Sequence, residues 1–210
     1  MKVYFTRHGK TEWNQQLRFQ GMSEDSPLLP ESYAEIKLLG QFLKDVPFEA
    51  IYSSTSLRAR KTAIAINEEL NQPAEIIYTD ELKELGLGAL EGQLIQEMKL
   101  VYGQQLEHMR YRLDQYDPSA FQGEPITSAI ERITKVVTEA VKNSSGPLLF
   151  VGHGASMTAA IQSMAGKNMD QLRSMGGLSN NSLSVLETSE PDNKLPYHLE
   201  IWNDTSFLTK

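Results

Sequence analysis

Two hydrophobic periods alternate along the chain. Short runs rich in β-branched and aromatic residues occupy 2–6, 50–53, 76–78, 147–151, 182–186 and 197–202 and read as strands. Between them, apolar residues recur at helical spacing. Leu38, Leu39, Phe42 and Leu43 predict a helix over 31–44 that ends before Pro47. Ala59, Ala63, Ile66 and Leu70 share a face of a second helix, for which Ser54, Thr55 and Ser56 offer capping oxygens. A polar, helix-favouring stretch runs from Gly92 to Tyr116. Ile130, Ile133, Val137 and Val141 then form a stripe that predicts a helix to Lys142, with Ser128 and Glu131 at capping-box spacing. Ala155–Ala165 can continue as a further helix, and 189–194 reads as a loop between the last two strands.

Strands alternating with helices imply an α/β fold: a three-layer sandwich whose mostly parallel central sheet is covered by helices on both faces. The run 147–151 is continuously apolar, as befits a strand buried on both sides. No repeat, linker or low-complexity tract interrupts the chain. Residues 1–210 are therefore read as a single domain, with a small helical cap inserted at about 85–125.

Charge narrows the function classes. The chain has 20 Lys+Arg against 27 Asp+Glu, a net charge of −7, which disfavours an ordinary nucleic-acid binder. There is no cysteine, so thiolate metal sites, disulfides and a cysteine nucleophile are out of reach. Arg7 precedes any signal-like apolar stretch, and no run is long enough to span a membrane; the expectation is a cytoplasmic protein.

Two strand ends carry histidine beside glycine: Arg7-His8-Gly9 and Gly152-His153-Gly154. In parallel sheets ligands bind at the carboxyl ends of strands, and glycine lets backbone approach them closely. His108 and His198 lack that context and read as ordinary surface or packing residues. A metal site assembled from His8, His153, Asp25 and Asp204 is disfavoured, because Arg7 adjoins His8 and repels cations. Arginine beside histidine suits an anion instead, since guanidinium matches phosphate oxygens. Arg58, in the first turn of the helix after the second strand, can converge with Arg7 on one phosphate.

These residues carry a family resemblance. Arg7-His8-Gly9-Lys10-Thr11-Glu12-Trp13-Asn14, followed by Arg18-Phe19-Gln20-Gly21, resembles the opening of the histidine phosphatase superfamily, the phosphoglycerate-mutase-like proteins of branch 1. Tyr52-Ser53-Ser54 with Arg58-Ala59 and Thr62-Ala63 resembles the second arginine motif. Leu82-Lys83-Glu84 with Glu91-Gly92 resembles the acid loop, Val151-Gly152-His153-Gly154 the second histidine motif, and Asn203-Asp204-Thr205 the C-terminal signature. The sequence departs from the family pattern at Thr55, Ser56 and Lys10, and Gln122-Gly123-Glu124-Pro125 matches it only in part.

The resemblance implies a phosphoglycerate-mutase-like fold in which His8 is the nucleophile that forms a phosphohistidine. Arg7, Arg58 and His153 would hold the phosphoryl oxygens, and Glu84 would protonate the leaving oxygen. Asn14, Gln20, Gly21 and Gly154 match positions lining the substrate pocket. Physical chemistry is consistent with these roles. A neutral imidazole is nucleophilic, fixed cationic donors stabilise the transferring phosphoryl group, and a protonated carboxyl can serve as acid.

Glu84-Leu85-Gly86-Leu87-Gly88 stands where mutases usually carry a longer insertion. The expected activity is thus hydrolysis of a small-molecule phosphomonoester without metal or cofactor. A mutase or transphosphorylase, or a weakly catalytic phospholigand-binding module, is the alternative. Met98, Tyr102, Met109, Tyr111 and Phe121 could line a pocket for the leaving group, although such residues are also common in cores. Substrate identity and oligomeric state are not legible.

Overall fold

The computed structural model describes residues 1–189 and 193–208. The elements in chain order are β1 (Lys2–Arg7), α1 (Glu12–Gln15), α2 (Pro30–Leu43), β2 (Ala50–Ser54), α3 (Leu57–Glu69), β3 (Glu75–Thr79), α4 (Ile95–Tyr111), α5 (Ile126–Lys142), β4 (Leu148–Gly152), α6 (Ala155–Met164), β5 (Leu183–Ser189) and β6 (Lys194–Asp204), with short 3-10 turns between some of them. The strands form one six-stranded sheet in the order β3-β2-β4-β1-β5-β6. Pairings from β3 through β1 are parallel, while β5 and β6 run antiparallel at the other edge.

Strand periodicity divides the core. Leu148 and Phe150 of β4 pack with Val3, Phe5, Ile133 and Val137 beneath α5 and α6. Leu149 and Val151 point the other way and pack with Ile36, Leu39, Ala59 and Ile66 of α2 and α3. All four of these β4 residues are 0% exposed, which explains why the run carries no polar alternation. A third cluster joins Leu85, Leu87, Leu90, Leu106, Leu113 and Phe121 with Phe19, Ala129 of α5 and Ala159 of α6, so the residues read as a cap share an apolar core with the rest of the chain.

Several local expectations are corrected. α5 begins at Ile126, directly after Pro125, and Ser128 makes no capping box; Glu124 is drawn aside by Arg132, and the proline sets the boundary. The capping box belongs to α1, where Thr11 and Asn14 satisfy one another's backbone amides. The serines and threonine before α3 do not cap it; its Leu57 N–H donates to Asp25 Oδ2 at 2.5 Å, from a loop far away in sequence. The stretch from Gly92 to Tyr116 is helical only over Ile95–Tyr111, with a bend at Tyr102 (φ −119°, ψ 23°). Of the loop expected at 189–194, residues 190–192 lie outside the described residues.

Candidate active site

The backbone N–H of His8 donates to Gly152 O at 3.0 Å, extending the β1–β4 ladder one residue beyond β1. The neighbouring strand ends thereby bring His8 and His153 together, their ring centroids 5.2 Å apart in an edge-to-face arrangement. His8 Nδ1 lies 2.7 Å from Gly9 O. A carbonyl only accepts, so Nδ1 bears the hydrogen, and in the neutral ring Nε2 keeps its lone pair. Burial, then the charges of Arg58 and Arg7, hold His8 well below the ordinary histidine value of 6.5. Burial dominates for His153 too, with Arg58, His8 and Arg7 acting in the same direction. Both imidazoles are consequently neutral at physiological pH.

The guanidiniums are fixed by the backbone. Arg58, 1% exposed, donates from Nη1 to Glu24 O at 3.0 Å and Asp25 Oδ1 at 2.9 Å, and from Nη2 to Gly21 O at 2.9 Å. With its amide oriented to satisfy both ends, Gln20 accepts from Arg58 Nη1 at 3.2 Å and donates to Thr11 Oγ1 at 2.9 Å. Arg7 Nη1 donates to Leu178 O at 2.8 Å, and burial lowers its pKa from the ordinary value, opposed by Glu84. Gly154 leaves room for it: a Cβ there would stand 3.2 Å from Arg7 Cζ. His153 Nε2 lies 2.8 Å from Ser54 Oγ. Three buried nitrogens, Arg7 Nε, Arg58 Nε and His153 Nδ1, have no partner within the described protein. Leaving such atoms unmet costs about 1–3 kcal/mol each, which marks a place arranged for acceptor oxygens.

Glu84, 7% exposed, accepts from Leu85 N–H and Ser156 N–H at Oε1, both at 2.8 Å, and from Ala155 N–H at Oε2 at 2.9 Å. It thus caps α6, whose N-cap position is Gly154 with no side chain to do so. Arg132 steadies the acid loop. Its guanidinium donates to the carbonyls of Glu81, Lys83 and Glu84 at 2.7, 2.7 and 3.1 Å, and pairs with both oxygens of Glu124 at 2.8 and 2.9 Å.

Above the histidines opens a cleft of about 410 Å³ lined by Arg7, His8, Asn14, Gln20, Glu84 and Gly154, together with Arg18, Arg110, Arg173 and Met109. Arg58 and His153 stand fully buried beside it. Gly21 does not line the cleft and serves through its carbonyl on Arg58. Asn14 Oδ1 accepts from Thr11 and Asn180 side chains. Among the suggested leaving-group residues, Met109 lines this cleft and Tyr111 an adjoining one, whereas Met98, Tyr102 and Phe121 belong to the cap cluster. Sequence reasoning missed Arg132, on the amphipathic helix α5, and Arg110 and Arg173, none of which stands at motif spacing. Among the described residues no group of three or more His, Asp or Glu is placed to hold a metal ion, and no helix is long and apolar enough to cross a membrane.

Buried arginines and histidines gathered at the carboxyl ends of parallel strands define the class: an α/β protein with a cationic cleft at the edge of the sheet where such folds bind ligands. The chain belongs to the histidine phosphatase superfamily (branch 1), whose family model matches residues 3–204. It is 30% identical to phosphoserine phosphatase 1 of Hydrogenobacter thermophilus over 92% of this chain and 89% of that protein. It is 35% identical to the Xenopus tropicalis fructose-2,6-bisphosphatase TIGAR over 97 residues, 45% of this chain but only 35% of the relative's length. The solved structure titled Bacillus stearothermophilus YhfR superposes with a TM-score of 0.88 at 28% identity, covering 99% of this chain and 98% of that one. Other relatives are named as phosphoglycerate mutases.

Proposed function

We propose that the protein is a phosphomonoesterase working through a phosphohistidine on His8. The observation that carries this reading is the pairing of a free Nε2 lone pair on a neutral, buried imidazole with the unmet donors Arg7 Nε and Arg58 Nε beside it. A phosphoryl group seated there would find its nonbridging oxygens met by fixed cationic donors, which is most of what this chemistry needs. His8 Nε2 attacks phosphorus, the P–O bond to the leaving group breaks, and Glu84, entering the step with a proton on Oε2, the oxygen that accepts a single amide, delivers that proton to the departing oxygen. Water then attacks the phosphohistidine and passes a proton to the Glu84 carboxylate as the N–P bond breaks, releasing inorganic phosphate and returning the His8 lone pair. His153, edge-on to His8, contributes its unpartnered nitrogen to the same anion. The short loop after Glu84, together with a cleft that reaches solvent, favours water as acceptor over a retained second phosphate.

The test is phosphate release from a panel of monoesters in the presence of chelator, alongside rapid quench with a 32P-labelled substrate. Wild type should release phosphate and form an acid-labile label; His8→Ala, confirmed folded by its melting transition, should do neither. Undiminished hydrolysis by that variant refutes the mechanism, and transfer between positions without release identifies a mutase.

A further inference from the structure

The peptide group that joins His8 to Gly9 is gripped by two side chains distant in sequence. Its carbonyl, His8 O, accepts from Asn180 Nδ2 at 2.9 Å. Its N–H, on Gly9, donates to Thr62 Oγ1 at 3.0 Å. The Thr62 hydroxyl donates its own hydrogen to Arg58 O at 2.8 Å, one turn back in α3, so a lone pair is left to accept from Gly9. The backbone on the other side is fixed as well, since Arg7 O accepts from Asn181 N–H and His8 N–H donates to Gly152 O, both at 3.0 Å. Thr62 is fully buried and Asn180 half-buried, and neither lines the cleft. Asn180 Nδ2 also lies 3.4 Å from Oδ1 of Asn14, a residue that does line it.

The consequence falls on the imidazole. Gly9 O, the next carbonyl along, is the acceptor that His8 Nδ1 faces at 2.7 Å. A peptide is a planar unit, so holding both ends of the His8–Gly9 group fixes the direction from which the chain enters Gly9. Only the two torsions of Gly9 then aim its carbonyl, and glycine restricts those torsions least of all residues. With the grip lost, Gly9 O can turn away, and the ring hydrogen is no longer tied to Nδ1. We infer that Thr62 and Asn180 are positioning residues for His8: by clamping the His8–Gly9 peptide they keep Gly9 O on Nδ1 and so hold the imidazole in the tautomer that leaves Nε2 bare. The role in turnover rests on the phosphohistidine reading; the effect on the tautomer does not.

Thr62→Val keeps the side-chain shape and leaves the buried Gly9 N–H without its acceptor, whereas Thr62→Ser restores one. Asn180→Leu removes the other donor at similar volume. Each variant is checked for a cooperative melting transition and then read in two ways. In protein labelled with 15N-histidine, proton–nitrogen correlation spectra at neutral pH report the tautomer, His8 being the ring lost from the spectrum of His8→Ala. Wild type should show His8 with its hydrogen on Nδ1 alone. Thr62→Val and Asn180→Leu should each show both tautomers, their double variant a larger share with the hydrogen on Nε2, and Thr62→Ser the wild-type pattern. In single turnover with 32P-labelled p-nitrophenyl phosphate, the maximal rate of label formation should fall at least about tenfold in Thr62→Val and Asn180→Leu, with the half-saturating concentration unchanged and the rate recovered in Thr62→Ser.

A merely structural role would lower the melting temperature and move neither readout, which overturns the inference. So does a wild type whose His8 carries its hydrogen on Nε2. Should Thr62→Val fail to fold, Asn180→Leu carries both readouts. A tautomer that shifts in the variants while wild type forms no label upholds the clamp and sinks the phosphomonoesterase reading. An unmoved tautomer beside full wild-type turnover does the reverse.

Discussion

Arg132 does not line the cleft, yet the acid loop hangs on it. Its five donor contacts reach three carbonyls of the loop, those of Glu81, Lys83 and Glu84, and both oxygens of Glu124. Arg132→Met keeps most of the aliphatic volume and removes every one of them. Breaking a buried ion pair by deleting one partner costs about 3–5 kcal/mol, because the remaining charge is stranded. Side-chain exposures of 14% for Arg132 and 15% for Glu124 allow some hydration and place the expected loss near the lower end, about 3 kcal/mol. Glu124→Gln should cost less, about 2 kcal/mol, since its amide can still accept from Gly86 N–H as Oε2 does at 3.1 Å. The double variant should fall short of the sum by at least about 1 kcal/mol. Urea unfolding at fixed pH measures all three. Turnover supplies a second readout: a displaced Glu84 should slow alkyl phosphates, whose leaving oxygens need a proton, about tenfold more than p-nitrophenyl phosphate. A stability loss below about 1 kcal/mol, or additive single effects, would refute the clamp.

Two further outcomes follow from the same coordinates. His8 and His153 are both held well below 6.5, so as pH falls through that value the unfolded chain takes up protons the native state refuses. Stability, full above about pH 6.5, should decline toward pH 5 with a slope of up to about 1.4 kcal/mol per pH unit for each histidine, and His153→Asn should lessen it; a flat urea-unfolding free energy between pH 7.5 and 5.5 would contradict the assignment. Asp25→Ala should cost about 1–2 kcal/mol through the lost α3 cap, with Asn restoring much of it; a melting temperature unchanged in the alanine variant would show that Leu57 N–H finds another partner.

The parts of this molecule legible in the sequence are those with local causes. The run at 147–151 announces β4 because burial on both faces removes alternation, and Ile133, Val137 and Val141 announce α5 because its apolar stripe meets one face of the sheet. His8, His153, Arg7, Arg58 and Glu84 stand out because strand ends and motif spacing mark them. Illegible features depend on segments that meet only in the fold. Asp25 caps a helix that begins at Leu57, Arg132 reaches back to Glu81, and Asn180 donates to His8 O. Pairing direction is a further case: β5 and β6 read as strands, but nothing in their composition says that they turn antiparallel. The bend at Tyr102 does have a local signal, Gly103 directly after it, but a lone glycine inside a helical stretch does not by itself fix a bend.

The position of Glu84 explains why the site needs so many side-chain cations. In many α/β proteins a helix N-terminus at the end of a central strand holds the anion directly, with backbone amides and the helix dipole supplying the field. Here two residues separate the end of β4 from the start of α6, whose first amides are already taken by the Glu84 carboxylate. An acidic group thus stands at the helix N-terminus where such an anion would otherwise sit, and on the proposed reading the phosphoryl group falls to Arg7 and Arg58 instead. Carbonyls of Gly21, Glu24 and Leu178 take Nη groups of those guanidiniums, and each Nε is left unmet. Neutral acceptors orient both cations, and only Asp25, partly exposed, offsets the charge of Arg58. On that reading the helix amides hold the Glu84 carboxyl in place to donate its proton, while the two guanidiniums supply the positive field for the substrate.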